Sequence, residues 1–420
     1  MASSLTSFDA FLKETYTKDK IDDLTKKDHP FYGQIKKEED VGGDQYVHPF
    51  MFSNPQGLGA TLAKAQAGSN QAVGGNLQSR KWICTWGDYS AAVSIGDKVI
   101  KASRNNLGAF LRNQEVEIDG LWKGFGDTFS TYAFSNGGQT LGQFTFSSGV
   151  CTLINSDDIV NFEVGQILVV SANDGSDPSH IIVGGSAPGY VVAVNRNAGT
   201  FSVSATSGGS VGTPTNWATN QYAFRDGDFG GAGATRILLG LGAWIPSSDP
   251  SATAFEGVNR TADITRMSGV RLTNAEITGL SLEQRIKRLV TRMTGRNAGP
   301  GPSSVYLNPE KWQALADQLE SRGYREIGKT ADFGYEFITV HAGGKSCKVF
   351  ADAFCPVGTA FALHMDSIKL AALGKIPEVL NGDGLEMLRA ATTNDYEYRL
   401  QAYPAFVVPA PGWCGRVATV

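Results

Sequence analysis

Hydrophobic residues recur at helical spacing between Arg104 and Phe134. Leu107, Leu111, Ile118, Trp122, Phe125, Phe129 and Tyr132 lie three, four or seven positions apart. Polar residues such as Asn105, Asn113, Gln114, Glu117 and Lys123 mostly fall elsewhere on the wheel. A 3.6-residue period of this kind predicts one long amphipathic helix, roughly 45 Å long if it is continuous. Gly120, Gly124 and Gly126 lie inside it. Each costs about 1 kcal/mol against Ala within a helix, so a bend or break is expected near them. A buried core helix would show the same stripe, so the flanking segments must decide its role.

Upstream, the pattern thins. Residues 1–41 read as an arm. Phe8, Phe11, Leu12 and Tyr16 follow Ser7 with the spacing of a short amphipathic helix. A charge-dense stretch from Lys18 to Lys27 comes next, then His29-Pro30-Phe31-Tyr32 and Lys36-Lys37-Glu38-Glu39-Asp40. So few apolar residues cannot form a core of their own, and cover from a neighbouring chain is expected. Residues 42–95 read as a long β-hairpin. Gln45–Phe52 is its outgoing strand; Lys81–Trp86 and Tyr89–Ile95 are its return, broken at Gly87. Between the strands, Asn54–Arg80 is rich in Gly, Ala, Gln and Asn. Such a tip buries too little to offset its ordering entropy, which points to fixation by adjacent subunits.

After the helix the period switches from helix to strand. Short apolar runs separated by Gly, Ser, Asn and Asp fill residues 136–228: Phe144/Phe146, Cys151–Ile154, Ile167–Val170, Tyr190–Val194 and Phe201–Val203. They predict a small inserted β-barrel or sandwich. Residues 229–420 alternate helices and strands. Ser281-Leu282-Glu283-Gln284 is a capping box for a helix whose stripe is Leu282, Ile286, Leu289, Val290 and Met293. Ser304–Leu307 reads as a buried strand, and Asn308-Pro309 opens a second helix. Strands follow, with Gly343-Gly344 turning one pair. Such a succession is an α+β or α/β core of moderate size, and the chain as a whole is read as α+β.

Charge and chemistry narrow the function. The net charge of -4 comes without a polybasic run, so composition shows no tight nucleic-acid binding. No apolar run is long enough to span a membrane. The opening Met1-Ala2-Ser3-Ser4-Leu5 has no signal-peptide pattern, so no secretion is expected. The cysteines, Cys84, Cys151, Cys347, Cys355 and Cys414, are scattered and predict neither a disulfide framework nor a zinc ribbon. Gly208-Gly209-Ser210-Val211-Gly212 matches a nucleophile-elbow expression, but Thr213-Pro214 follows where a helix is needed. Gly343-Gly344-Lys345-Ser346 ends like a phosphate loop and leads into a strand. The histidines, His29, His48, His180, His341 and His364, lie far apart without metal-ligand spacing. The acidic pairs Asp157-Asp158 and Asp226/Asp228 read as solvated loop residues, with a Ca²⁺ site as the alternative. No catalytic residue, metal or cofactor is expected.

The order of these elements resembles the major capsid proteins of tailed double-stranded DNA bacteriophages, with their Hong Kong 97-type fold. The arm entering at His29-Pro30-Phe31, then Gly42-Gly43 and Val47-His48-Pro49, looks like that family's N-arm and E-loop. Residues 96–135 resemble the spine-helix region of its P-domain. Gly240–Pro246 and Phe255–Arg260 resemble the entry to its A-domain, and Tyr306-Leu307-Asn308-Pro309, Phe354–Gly358, Asp383-Gly384 and Tyr398–Pro409 its later steps. On this likeness 229–420 holds the A-domain with returning P-domain strands. The block at 136–228 departs from the pattern as an insertion.

The resemblance implies a structural protein that self-assembles as hexamers and pentamers into an icosahedral head shell. Portal, scaffolding and decoration proteins would be its partners, with packaged double-stranded DNA touched only weakly and non-specifically. The shell would assemble in the host bacterial cytoplasm and end in the virion. Phe8, Phe11, Leu12, Tyr16, Phe31, Leu58, Lys64 and Trp82 are the expected subunit-interface residues. Three other readings stay open: an encapsulin-like nanocompartment shell, a phage tail or baseplate component, and a hydrolase using Ser210.

Overall fold

The computed structural model describes residues 28–69, 77–98, 107–175, 187–228, 237–297, 299–320, 327–329, 336–380, 387–389 and 393–419. The expected arm helix with Phe8, Phe11, Leu12 and Tyr16 lies outside the described residues.

The long helix runs Leu107–Phe134, 28 residues without interruption. The break expected at Gly120, Gly124 and Gly126 is absent. Tertiary burial outweighs the glycine cost: Phe125, Phe129, Tyr132, Ala133 and Phe134 are all buried. The apolar stripe is narrower than the spacing suggests, because Trp122 is 39% exposed.

Around its C-terminal half stands a body of two cores. A mixed seven-stranded sheet has the order β11 (Val270–Arg271), β22 (Gly415–Ala418), β16 (Thr359–Leu363), β12 (Ser304–Leu307), β15 (Lys345–Ala351), β14 (Glu336–Ala342) and β13 (Ile327–Lys329). Its centre is buried on both faces: every residue of β12 and β16 is covered. The capped helix Leu282–Gly295 packs on one face with Ile286, Leu289, Val290 and Met293. Helix Pro309–Glu320 adds Leu315, Ala316 and Leu319, and Asn308 caps it by accepting from the Glu310 N–H at 3.0 Å. Gly343 and Gly344 turn β14 into β15 with φ of 56° and 72°, the left-handed pair a two-residue hairpin requires.

A smaller sheet corrects the predicted hairpin. β2 (Gln45–Ser53) and β3 (Gln78–Thr85) pair antiparallel as expected, but β4 (Tyr89–Gly96) leaves them. It runs antiparallel to β20 (Asp395–Ala402) over eight residue pairs. Gly87 donates to the Pro404 carbonyl at 2.8 Å, which redirects the chain into the body. Tyr89 then buries its ring against the stacked pair Phe125 and Phe129. β1 (Lys36–Glu38) lies parallel to β17 (Lys369–Ala372), which pairs with β21 (Pro404–Val407).

Between the helix and the rest of the body, the chain makes a closed barrel. Its strands are β5 (Gly142–Ser147), β6 (Val150–Leu153), β7 (Ile167–Ser171), β8 (Gly189–Asn195), β9 (Thr200–Ser204) and β10 (Gln221–Arg225), in the order β10-β5-β6-β9-β8-β7. Closure removes open edges. Phe144, Phe162, Leu168, Phe201 and Val203 fill it, with Phe162 stacked on Phe201 at 4.3 Å. A side chain at Gly189 would collide with the Trp217 indole, so glycine is required there.

Candidate subunit-contact surfaces

The hairpin is anchored at one end and bare at the other. Burial along β3 begins only at Trp82. The Trp82 indole stacks on Phe50 at 4.6 Å, meets Trp244 edge-on at 5.1 Å and donates to the Pro409 carbonyl at 3.2 Å. The Ile83 N–H donates to the Glu256 carbonyl at 2.9 Å. Val47 and Met51 point away from the anchored face, and Met51, beyond the anchor, is 68% exposed. Leu58 is 82% and Leu62 75% exposed, and Leu77 is also open. No third strand joins β2 and β3 among the described residues. A two-stranded ribbon with open edges and exposed leucines is marginal on its own.

This geometry sorts the residues expected at an interface. Leu58 and Lys64 are exposed on the hairpin excursion. Phe31 and Trp82 are corrected: both are fully buried within one chain and present no surface to a second. Each is an anchor. Phe31 packs on Phe134 at 4.8 Å and Tyr306 at 5.0 Å, and its N–H donates to Asp352 at 3.0 Å. Their large rings sit beside glycines and charges in sequence, and that local setting suggested exposure. Most of the covering groups, Phe134, Tyr306, Trp244 and Pro409 among them, lie more than 100 positions away, which spacing cannot show.

The chain's entry from the arm is clamped on the long helix. His29 Nε2 lies 3.1 Å from Asp127 Oδ1, its Nδ1 lies 2.8 Å from Ser130 Oγ, and its ring stacks on Phe354 at 5.0 Å. Asp352 accepts from the N–H groups of Phe31 and Phe354, yet burial holds its carboxyl up at about 6. Further on, Lys369 Nζ sits 2.7 Å from Glu38 and, by that hydrogen bond, holds the Glu38 carboxyl below its ordinary range. The barrel is tied to the same helix. Arg225 donates to Thr128 Oγ1 at 2.7 Å, and Tyr132 donates to Asp228 at 2.5 Å. Asp228 is thus a structural acceptor and not the solvated loop residue expected. Burial, the larger influence, still raises its carboxyl.

A cleft of about 610 Å³ lies between barrel and body. Asn155, Asp157, Asp158 and Asp174 line its barrel side; Phe354, Thr359, Arg260 and Arg416 line the body side. Asp157 Oδ2 and Arg260 Nε are buried without a hydrogen-bond partner. Burial, reinforced by Asp157, raises Asp158 to about 6, against an opposing hydrogen bond from Asn155. Spacing had marked the aspartates as a solvated pair; the arginines, far apart in sequence, carried no signal. Among the described residues no three His, Cys, Asp or Glu side chains group to hold a metal. Ser210 sits in the exposed loop between β9 and β10, with no helix after it.

No family model matches the chain, and no curated protein matches it. Among solved structures, the chain is similar over nearly its full length to shell-building chains. These include a cyanophage A-1(L) capsid chain (TM-score 0.47, 10% identity, covering 99% of each chain). The SrpI encapsulin of Synechococcus elongatus follows at TM-score 0.46 and 8% identity, over 100% of this chain and 96% of that one. A native GTA particle capsid chain gives 0.44 and 10%, over 100% and 99%.

Proposed function

We propose that this chain is a shell subunit of the Hong Kong 97-type fold, building the icosahedral head of a tailed bacteriophage around double-stranded DNA. The observation that carries the reading is the β2–β3 hairpin. Its base is locked by Trp82 while its far end offers Met51, Leu58 and Leu62 to solvent. One chain leaves this apolar, open-edged surface unmet. Copies arranged around a closed symmetry cover it repeatedly, and many modest contacts then sum to a stable container. The arm preceding Asp28, with Phe8, Phe11, Leu12 and Tyr16, extends the same logic. Portal and scaffolding proteins are the further partners this reading brings.

Electron microscopy of the purified full-length protein tests it. Closed shells of uniform diameter are expected; monodisperse single chains at high concentration would sink the reading. Nucleic acid inside shells from infected cells distinguishes a phage head from a compartment holding a protein cargo.

A further inference from the structure

Two arginines on the body wall of the cleft carry charge that the chain does not answer. Both are fixed by the end of the short helix Leu241–Trp244. Arg260 donates from Nη1 to the Ala243 and Trp244 carbonyls at 3.1 and 3.4 Å, and Arg416 donates from Nη1 to the Ile245 carbonyl at 3.2 Å. Satisfying the last carbonyls of a helix is an ordinary structural role for a cation. Here it uses only part of each guanidinium. The Arg260 Nε is buried with no acceptor, and its Nη2 engages none among the described residues. Nε and Nη2 form the side-on edge of the fork, which can hold two oxygens of one anion. Arg416 donates from Nη2 to Thr359 Oγ1 at 3.2 Å. Thr359 is buried, and because its oxygen accepts that bond its own hydroxyl proton is left to donate.

Neither arginine meets a carboxylate at ion-pair distance among the described residues, although Arg260 is only 8% exposed and Arg416 is largely covered. Desolvation first, and then the Arg271 guanidinium, pull both down to about 10. Arg271 has its own partner, Asp249 at 2.8 Å, so it adds repulsion without supplying an anion. The aspartates across the cleft do not supply one either. Asp174 accepts from Asn136 at 2.8 Å, and burial, reinforced by Asp157, raises Asp158 to about 6. Buried positive charge of this kind is costly unless countered. The faces of the two guanidiniums are taken by rings that line the cleft, Phe255 at 4.0 Å from Arg260 and Phe361 at 5.5 Å from Arg416. Their N–H edges are what remains for a ligand.

We propose that this wall binds a phosphate-type oxyanion, held by the Nε/Nη2 edge of Arg260, by Arg416 and by the Thr359 hydroxyl. The three donors stand on separate elements, the turn Arg260–Ala262 and the strands Thr359–Leu363 and Gly415–Ala418. Three donors can engage three oxygens of a tetrahedral anion, where a carboxylate offers two. The cleft, at about 610 Å³, has the size of a small-molecule site and holds far more than one bare phosphate. The group therefore arrives either free and hydrated or on a small hydroxylated body, whose hydroxyls would give the orphaned Asp157 Oδ2 a donor. Whether the chain forms a shell has no bearing on this site.

Isothermal titration calorimetry of the purified full-length protein, in phosphate-free buffer near neutral pH, tests it. Inorganic phosphate and glycerol phosphate are the two probes, with sodium chloride at matched ionic strength as the control. At least one probe should saturate at one per chain in the millimolar range or below, and the tighter of the two shows whether the group comes free or carried. Thr359→Val, which keeps the shape and removes the hydroxyl, should weaken that binding about tenfold. Arg260→Lys, which keeps the charge and removes the fork, should weaken it at least as much. Should Arg260→Lys fail to fold, Thr359→Val and hydrogen exchange on the wild type decide: the probe should slow the amides of 243–246 and 353–361. Heats that never saturate, or that chloride reproduces, would overturn the proposal. So would saturation that Thr359→Val leaves unchanged with protection elsewhere, which would put the anion at another place on the chain.

Discussion

Two excursions leave the same body and solve the edge problem in opposite ways. The barrel bends six strands into closure and fills itself with Phe144, Phe162, Phe201 and Trp217. The β2–β3 hairpin stays a two-stranded ribbon whose rings are buried only at its base. A closed element is finished within one chain. An open one has edges that only something outside it can pair, and on the proposed reading that is a second copy. The same sequence thus holds a self-sufficient module beside a deliberately incomplete one.

The sharpest way to break this comparison is to charge the open end. Leu58→Asp with Leu62→Asp should abolish particles in electron microscopy and light scattering, because every copy loses the same contact. The single chain's unfolding free energy should move by less than about 0.5 kcal/mol, since both side chains are already in water. Particles of normal yield would show that the hairpin is not a contact surface.

Next in size is Trp82→Ala. It removes a fully buried indole from between Phe50 and Trp244 and orphans the Pro409 carbonyl. Denaturant unfolding should show a loss of about 3–5 kcal/mol. Phe201→Ala should cost a similar amount by emptying the barrel. The two should differ in consequence: the first also misdirects the hairpin and reduces assembly, while the second should spare it under conditions where the barrel stays folded.

What was legible in the chain follows the same divide. Local periodicity marks the helix Leu107–Phe134, five of the six barrel strands, the Ser281 capping box and the Gly343-Gly344 turn, because each depends on neighbours within a few residues; Gln221–Arg225, the sixth strand, was not marked. Long-range pairing was not legible. Tyr89–Gly96 looks like hairpin return because it alternates correctly, yet its partner is 300 residues downstream in Asp395–Ala402. Phe31 and Trp82 look available because nothing near them in sequence covers them; Tyr306, Phe406 and Trp244 do so from afar. The cleft shows the same blindness, since Arg260, Arg416 and Asp157 line one cleft only through the fold.

Titration separates the regions more gently. Burial holds Asp158 of the barrel and Asp352 of the body at about 6, against an ordinary 3.8. A carboxyl raised on folding binds more protons folded than unfolded. Stability should therefore be greatest below about pH 4 as far as these groups decide it, and should decline as pH rises through 6. Each contributes on the order of 1–3 kcal/mol. Asp158→Asn, which keeps the shape without the charge, should flatten the slope and raise the thermal midpoint at pH 8. An unchanged slope would mean the cleft already solvates that carboxylate.

The smallest effect is the one that most tests the idea of a finished module. Val164 of the barrel is 65% exposed, nearly as open as Met51 on the hairpin. By exposure alone the two are equivalent. The difference is their setting: Met51 lies on a ribbon with unpaired edges, and Val164 on a barrel whose strands all have partners. An isolated exposed valine needs no cover. Val164→Ser should leave unfolding free energy within about 0.5 kcal/mol and particle yield unaltered, whereas Met51→Ser should lower the yield at the same unfolding free energy. If Val164→Ser instead reduced particle yield, the barrel would itself be a contact surface. Closure of the strands would then explain the barrel's folding but not its place in the assembly, and the contrast between barrel and hairpin would no longer sort contact surfaces from self-contained ones.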